Sequence, residues 1–316
     1  MDFHHISVMP EETIAGLITA KDGIYVDCTL GGAGHSSLIA QQLTPEGHLI
    51  GIDQDTAAIA AASERLKDYP CRIDIVKSNF SQLDQVLSDL NVPHVDGFLF
   101  DLGVSSHQLD TAERGFSYMQ DAPLDMRMNQ QAQFSAYDVV NTYSLEELNR
   151  IFKEYGEERW SKRIAEFIID ARSEKPLETT GQLVDIIKKA VPAAVRNAKG
   201  GHPAKRIFQA VRIEVNDELN ILEKTFRSAI AHLKPGGRIA IITFHSLEDR
   251  IAKNVLKEMA SGCICPPQLP VCMCHHKPEI KLLVKGKAAS HKELEQNSRS
   301  KSAKLRIAEK LPAKWD

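Results

Sequence analysis

The sequence predicts an α/β fold in which a Rossmann-like sheet is interrupted by a helical insertion. Short apolar strands alternate with helical segments over the first hundred residues, a pattern typical of a parallel sheet with right-handed crossovers. From about residue 105 to 205 only helical periodicities occur, and after that the alternation resumes. We therefore predict a core made of residues 1–105 and 206–316, with an inserted helical domain at residues 106–205.

The predicted elements follow from apolar runs and their periods. Strands are expected at 24–30, 48–53, 72–77, 95–101 and 238–244, with closing strands at 279–284 and 303–308. Helices are expected at 55–67, 83–90, 145–152, 159–171, 180–191 and 247–259. One long helix is predicted over about 205–233, and Pro235-Gly236-Gly237 ends it because proline and glycine stop helices.

Composition places the chain among globular proteins and excludes several other classes. Its 316 residues are 43% hydrophobic and 26% charged, and the formal net charge is −3. Apolar runs such as 239–244 fall far short of the roughly 20 residues that cross a bilayer. The first residues lack the cationic and apolar pattern of a signal peptide. We expect a cytoplasmic protein.

A glycine-rich loop follows the first predicted strand and suggests a ligand site. Glycines at a strand's carboxyl end let a ligand approach the backbone, and the next helix offers free N–H groups. Asp53, at the end of the second strand, suits the ribose hydroxyls of an adenosine-type cofactor. The dinucleotide fingerprint needs a third glycine, but Gly32-x-Gly34 leads to Ser37. Asp27 within the strand suits a cationic amino-acid moiety. A purely structural turn is the alternative.

Two further polar segments follow predicted strands and point to the same crevice, because ligands of open α/β sheets lie at the strands' carboxyl ends. Asp101 ends the fourth strand, where a carboxylate can orient a nucleophile and accept its proton. The alternative for Asp101 is a turn or helix cap. After the fifth strand, His245 is a candidate substrate contact, whereas Ser246 and Asp249 have the spacing of a helix N-cap.

Positive charge is concentrated in two tracts. Residues 188–212 contain seven Lys or Arg and no Asp or Glu, and residues 275–316 contain eleven basic and five acidic residues. Such tracts on an otherwise acidic chain suit a polyanion such as RNA. The predicted RNA contacts are Lys199, His202, Lys205 and Arg206. The alternative is that these cations only form a solvated face.

Four cysteines are grouped within twelve residues as Cys263-x-Cys265 and Cys272-x-Cys274. In a reducing compartment such clustering favours Zn²⁺ over disulfides. The pairs are closer than the usual C-x₂-C spacing, so a loop of free thiols is the alternative. Cys28 and Cys71 are expected to be small core residues.

Several motifs together resemble the MraW/RsmH family, SAM-dependent methyltransferases that modify N4 of a cytidine in the decoding region of bacterial 16S rRNA. The resemblance runs from residues 5–9 to 298–306, almost the whole chain. The matching motifs lie at residues 27–36, 101–110, 114–117, 123–127, 155–159 and 245–250. The fold implied is a class I methyltransferase core whose inserted domain recognises the substrate. The cysteine cluster lies where family members differ, so the resemblance does not support zinc there.

The resemblance also implies roles for single residues. S-adenosylmethionine (SAM) contacts are expected from Ala33, Gly34, His35, Asp53, Phe80, Asp101 and Gln108, with Asp101 also catalytic. The target base must leave its stack, and Phe116 and Tyr118 are either stacking partners for it or core residues. The implied partner is small-subunit rRNA, within the subunit or naked, and the chain acts as a monomer or a homodimer. Competing interpretations are a NAD-dependent oxidoreductase, which would bind nicotinamide cofactor instead of SAM, and a non-catalytic RNA-binding assembly factor.

Overall fold

The computed structural model describes residues 7–193, 202–263, 265, 269, 271–274 and 276–312. These residues form two compact units. The sheet unit consists of the chain up to Gly103 and from Leu219 onward, and the helical unit is Val104–Glu218. Within the described ranges, no helix has the length and apolarity needed to cross a membrane.

Among the described residues of the sheet unit, seven strands form one sheet. They are β1 Ile24–Asp27, β2 His48–Asp53, β3 Arg72–Lys77, β4 Val95–Asp101, β5 Leu233–Thr243, β6 Ile280–Ala288 and β7 Lys304–Lys310. Their order is β3-β2-β1-β4-β5-β7-β6. Neighbours from β3 to β5 pair in parallel, and β7 is antiparallel to both β5 and β6. This topology confirms the predicted class I, Rossmann-like sheet, including its two closing strands.

Helices cover both faces of this sheet. They are α1 Pro10–Leu17, α2 Gly34–Gln42, α3 Thr56–Leu66 and α4 Leu83–Asp89, and after the insertion α11 Leu222–His232, α12 Ser246–Met259 and α13 His291–Gln296. Successive strand residues point to opposite faces. Val26 and Phe98 therefore join the apolar cluster with α11 and α12, whereas Tyr25 and Leu99 join the one with α1 and α2.

The helical unit has its own apolar core. Its helices are α5 Ser106–Asp110, α6 Ala136–Thr142, α7 Leu145–Glu154, α8 Ser161–Glu174, α9 Thr180–Ala190 and α10 Ala204–Asn216. Side chains such as Phe152, Ile164 and Ile187 are fully buried in one cluster with the apolar face of α10. Serine and threonine N-caps with acidic or amide partners three residues later begin α6, α7 and α9.

The single long helix expected over 205–233 is a wrong prediction, because the chain forms two helices there. Asp217 adopts a left-handed conformation (φ 50°) and ends α10, and α11 begins at Leu222. The apolar face of α10 is buried in the helical unit, and that of α11 in the sheet unit. The helical unit consequently extends to Glu218, beyond the expected limit at residue 205. Periodicity alone cannot reveal which core a helix face enters.

Candidate functional site

The loop after β1 is held in place by Asp27. This carboxyl is 1% exposed and accepts hydrogen bonds from Ser36 Oγ (2.7 Å) and the Thr29 backbone N–H (3.1 Å). Burial raises the pKa of Asp27, although the Ser36 bond and the nearby His35 oppose that shift. Both carboxylate oxygens of Asp27 thus accept hydrogen bonds from the loop and the start of α2. Asp27 therefore fixes the conformation of the loop. The strand stops at Asp27, three residues before its expected end, because the chain turns here.

Left-handed backbone positions form the turn into α2. Gly31 has a φ of +48° and Ala33 a φ of 57°, and α2 starts directly at Gly34. Ala33 takes this left-handed conformation although its Cβ disfavours it. The residue is also fully buried. The glycine-rich sequence indicates a tight turn, but it does not indicate that an alanine takes one of the strained positions.

Asp53 connects the end of β2 to the glycine loop. Its Oδ2 accepts the Gly31 N–H and its Oδ1 accepts the Asp55 N–H, both at 2.8 Å. Burial raises the pKa of Asp53 to about 6 despite these two bonds. A carboxylate oxygen has further lone pairs beyond the one each N–H uses. Asp53 can therefore also accept hydrogen bonds from a ligand's hydroxyl groups.

Asp101, at the end of β4, is paired with His35 of α2. His35 Nδ1 lies 3.3 Å from Asp101 Oδ2, and His35 Nε2 lies 2.9 Å from the Val8 carbonyl oxygen. The carbonyl can only accept, so Nε2 carries a proton, and a second shared proton must lie between Nδ1 and the carboxylate. Burial lowers the pKa of His35, but the hydrogen bond and the negative charges of Asp101 and Asp27 outweigh it and raise the pKa.

The second carboxylate oxygen of Asp101 has a different environment. Oδ1 is buried and has no hydrogen-bond partner among the residues that the structure describes. The Asp101 backbone N–H is fixed by Thr29 Oγ1 at 2.7 Å. A buried acceptor without a partner costs free energy, and a ligand N–H can relieve that cost. Asp101 is thus held at its backbone N–H and at Oδ2, while Oδ1 keeps an unused capacity to accept a hydrogen bond.

The remaining predicted cofactor residues occupy two different units. Phe80 begins the turn after β3 and packs edge-on against Phe100, with ring centroids 5.9 Å apart. Gln108 lies in the helical unit, where it forms a capping box with Ser105 at the start of α5. Its Oε1 accepts the Ser105 N–H at 3.1 Å. The structure therefore places Phe80 beside the carboxyl ends of the strands and gives Gln108 a local capping role.

The segment after β5 begins α12 differently from the prediction. The N-cap is His245 rather than Ser246, and the third residue of the helix, Glu248, accepts the Phe244 N–H at 2.8 Å. His245 Nε2 also lies 3.1 Å from Glu248 Oε1. Asp249 does not cap the helix, because its carboxylate pairs with Arg306 of β7 at 2.8 Å. The S-x-x-D spacing was misleading since a histidine one residue earlier fills the cap position.

Some residues of the site carry no recognisable sequence signal. Ser36 positions Asp27, and Thr29 positions Asp101. The Val8 carbonyl fixes the protonation of His35 Nε2. Buried hydroxyls and main-chain carbonyls are common everywhere in a protein. Only the polar character of residues 27–36 hints that these side chains support one another.

Three of the four predicted RNA contacts are described, and two of these contact other side chains of the helical unit. Lys199 lies outside the described residues. The ring of His202 stacks on that of Tyr118, with centroids 4.8 Å apart and planes at 14°. Burial, and to a smaller extent the positive charge of Lys188, lowers the pKa of His202. Lys205 is exposed, and Arg206 lies 3.8 Å from Glu158 Oε2.

The tract is less free of counter-charges in space than in sequence. Arg212 Nε pairs with Glu218 Oε1 at 2.8 Å, so this cation balances an acid that lies outside residues 188–212. Phe116 is 6% exposed within the core of the helical unit, which leaves it as a core residue. Tyr118 contacts both His202 and Phe208.

The ends of β1, β2 and β4 together suit a ligand with several polar groups. Within the sheet unit, Asp27, Asp53 and Asp101 lie where three neighbouring parallel strands end. Asp53 offers acceptors for ribose hydroxyls, and the acidic surroundings suit a positively charged ligand. SAM carries a ribose, an ammonium and a sulfonium, so the described residues fit it. The loop of residues 31–34 lets such a ligand approach the backbone.

Comparison with known proteins relates nearly the whole chain to one family. A family model described as the MraW methylase family matches residues 2–311. The "Ribosomal RNA small subunit methyltransferase H" of Clostridioides difficile (strain 630) is 56% identical over 312 residues, which is 98% of this chain and 100% of that protein. The protein of the same name from Clostridium botulinum (strain Loch Maree / Type A3) is 57% identical over 312 residues, with the same coverage. The similarity therefore spans both units.

Proposed function

This chain belongs to the MraW methylase family, and from that premise we propose that it transfers a methyl group from SAM to small-subunit ribosomal RNA. We assign the acceptor as N4 of a cytidine in the decoding region. The reaction would take place in the cytoplasm, on RNA that is naked or within the subunit. The names of the relatives support the RNA class, and the site chemistry supports nitrogen as the acceptor.

The observation that carries the choice of nitrogen is the unpaired acceptor at Asp101 Oδ1. An exocyclic amine has N–H groups to donate, whereas a ring carbon has no comparable donor. Accepting one N–H favours a pyramidal nitrogen whose lone pair is available for bonding, and it orients that lone pair. The proton released as the new C–N bond forms can then pass to Asp101 or to solvent.

The other residues hold the cofactor and the geometry. Bound SAM supplies an electrophilic methyl group whose departure leaves a neutral thioether. Asp53 would accept hydrogen bonds from the ribose hydroxyls. The main chain of the turn at Ala33 and Gly34 would contact the cofactor directly. His35 keeps Asp101 in a fixed orientation through its contact with Oδ2. Catalysis then rests mainly on positioning and on exclusion of water.

A methylation assay with product mapping tests this proposal. Labelled SAM is incubated with small subunits, and separately with naked 16S rRNA, from a strain that lacks the enzyme. We expect label in N4-methylcytidine of a decoding-region fragment, identified by nucleoside chromatography against N4-methyl and C5-methyl standards. Label in C5-methylcytidine or in a different rRNA region would contradict the acceptor. Absence of any transfer to either substrate would contradict the function.

Asp101→Asn tests the role of the carboxylate within the same assay. The amide keeps the shape but weakens acceptance from the amine and cannot take a proton, so we expect turnover to fall by about 100-fold or more. SAM affinity measured by calorimetry should change far less. Asp68→Asn, an exposed turn residue, is the matched control and should keep full turnover. An Asp101 variant with normal turnover would leave this residue a structural role only.

A further inference from the structure

The loop between α12 and β6 brings four thiols together. Cys263, Cys265, Cys272 and Cys274 are not joined in disulfides, and their Sγ atoms all lie within 4.8 Å of one another. The Cys272 and Cys274 sulfurs are 3.6 Å apart, and those of Cys274 and Cys263 are 3.8 Å apart. We propose that these four thiolates bind one structural Zn²⁺ ion.

The sulfur separations match the geometry of a zinc tetrathiolate. With a Zn–S distance of about 2.3 Å, the edge of the sulfur tetrahedron is about 3.8 Å. The two separations given above already equal this edge within about 0.2 Å. The largest separation, up to 4.8 Å, needs a closure of about 1 Å, which flexible cysteine side chains can provide by small rotations. Four sulfur ligands and no oxygen ligand favour zinc over magnesium or calcium.

Backbone N–H groups support charge on the sulfurs. The Cys265 N–H donates to Cys263 Sγ, and the Met273 N–H donates to Cys265 Sγ, both at 3.4 Å. Such donors stabilise metal-bound thiolates and orient them. Two separate segments of the loop contribute, one with residues 263 and 265 and the other with residues 272 to 274. The ion would therefore connect two segments that the sequence separates.

The loop also needs an additional constraint. It runs from Ala260 to Glu279, which is long for a connection whose described residues form no helix or strand. Two hydrogen bonds tie its ends together, from the Glu279 N–H to the Met259 carbonyl and between His276 Nδ1 and the Ser261 carbonyl, each at 2.8 Å. Among the described residues between these ends, Val271 and Met273 are about 70% exposed, so burial of these two apolar side chains cannot order the loop. A metal crosslink can.

Its place in the sheet makes the ion structural. β6 runs parallel to β5, since both are antiparallel to β7. The loop ends where β6 begins, at Ile280, so it lies at the edge of the sheet opposite to the ends of β1, β2 and β4. Four protein ligands also leave no open position for a substrate. The ion thus has no part in methyl transfer.

Metal analysis of the full-length protein tests the assignment. Protein purified under reducing conditions without chelator should contain about one zinc per chain by mass spectrometry of the elements. A Cys263→Ser/Cys272→Ser double variant should contain almost none, whereas Cys71→Ser, a cysteine outside the cluster, should keep one. Cobalt(II) replacing zinc should show thiolate charge-transfer bands and the intense ligand-field bands of a tetrahedral site.

A second measurement does not depend on variants that fold. Zinc is stripped from the wild-type protein with a chelator and then added back, and thermal unfolding is followed in each state. We expect the unfolding temperature to fall when zinc is removed and to recover when zinc is added back. During removal, a chromophoric chelator should take up one equivalent of zinc per chain. Iron in place of zinc, equal zinc contents in the double variant and the wild type, or reduced protein that neither holds zinc nor takes it up would overturn the proposal.

Discussion

Single residues of the site are tuned by burial as much as by their neighbours. Asp53 accepts two backbone N–H bonds, yet burial still raises its pKa to about 6. His35 is buried, yet the carboxylates of Asp101 and Asp27 raise its pKa. These opposite balances arise because desolvation disfavours a lone charge, whereas an opposite charge close by compensates for it. Each shift leads to a pH dependence.

Cofactor affinity should depend on the ionisation of Asp53. Only the carboxylate accepts from both ribose hydroxyls, so binding favours the ionised form. SAM affinity should be close to its maximum at pH 7 and should fall about tenfold for each pH unit below pH 6. Calorimetry between pH 5 and 7, in buffers of different ionisation enthalpy, measures both the affinity and the proton release.

Asp53→Asn is the matched variant for this prediction. It should bind SAM more weakly by about 1.5–3 kcal/mol, the usual worth of hydrogen bonds to a charged group, and its affinity should no longer depend on pH in this range. If the variant retains the wild-type slope, the titrating group is another one, such as Asp27.

Protein stability should depend on the protonation of His35. Because its pKa is raised above the usual 6.5, the contribution is fully present below pH 6.5 and is lost as pH rises through the raised value. Between pH 6 and 9 we expect the free energy of unfolding of the wild type to fall by about 1–3 kcal/mol more than that of His35→Gln. Urea denaturation of both proteins at each pH gives this difference. His94→Gln, an exposed histidine, should show no such difference, and an equal effect there would contradict the assignment.

At the scale of elements, an ion pair attaches the last strand to the helix that follows the site. The Arg306 guanidinium of β7 contacts Asp249 of α12 at 2.8 Å, and both side chains are largely buried. Lys304 reaches the same carboxylate at 3.2 Å, but its side chain is half exposed. Burial alone would raise the pKa of Asp249, and the two cations instead lower it.

Removal of Arg306 should therefore cost far more than removal of Lys304. Arg306→Met leaves a buried carboxylate without its main partner and should lower the free energy of unfolding by about 3 kcal/mol. Lys304→Met should cost less than about 1 kcal/mol, as exposed ion pairs do. Urea denaturation at pH 7 compares the two variants, and equal losses would show that the buried pair has no special weight.

The strands were the elements most open to prediction from sequence. Residues 48–53 and 95–101 have the predicted bounds, because buried parallel strands are nearly continuous apolar runs. The edge strand 72–77 also has its predicted bounds, although it is only partly buried and is marked by Ile73, Ile75 and Val76. The break near Asp217 was missed since the helical period continues through it. The ends of β2 and β4 placed Asp53 and Asp101 correctly at one edge of the sheet. The contacts of His35 with Val8 and Asp101 were not predictable, because they join three segments only in the folded chain.

At the scale of the whole molecule, charge should decide how RNA is held. Lys205 and Arg206 are exposed cations of the helical unit, and Lys199 belongs to the same tract of sequence. If these cations contact single-stranded RNA, affinity falls with salt by roughly 0.7 log units per contact for each log unit of salt. The triple change of all three to Gln should flatten that slope and raise the KM for RNA, while SAM affinity stays the same.

Cations elsewhere on the helical unit provide the control. Lys162 and Lys175 have exposed side chains, and their replacement by Gln removes charge outside the tract. This control should leave the salt slope of RNA binding unchanged. A triple variant with wild-type RNA affinity and slope would show that the tract is only solvated, and would direct attention to the C-terminal cations such as Arg299 and Lys301.

The position of β7 has a consequence for biosynthesis. Strand β7 is inserted between β5 and β6, so β5 keeps an unpaired, apolar edge until residues 304–310 have left the ribosome. β4 must likewise wait for β5 across the whole helical unit, and open strand edges of this kind promote aggregation. Nascent chains and truncations that end before Lys304 should accordingly depend on chaperones. The sheet can be completed only after residues 304–310 have been synthesised.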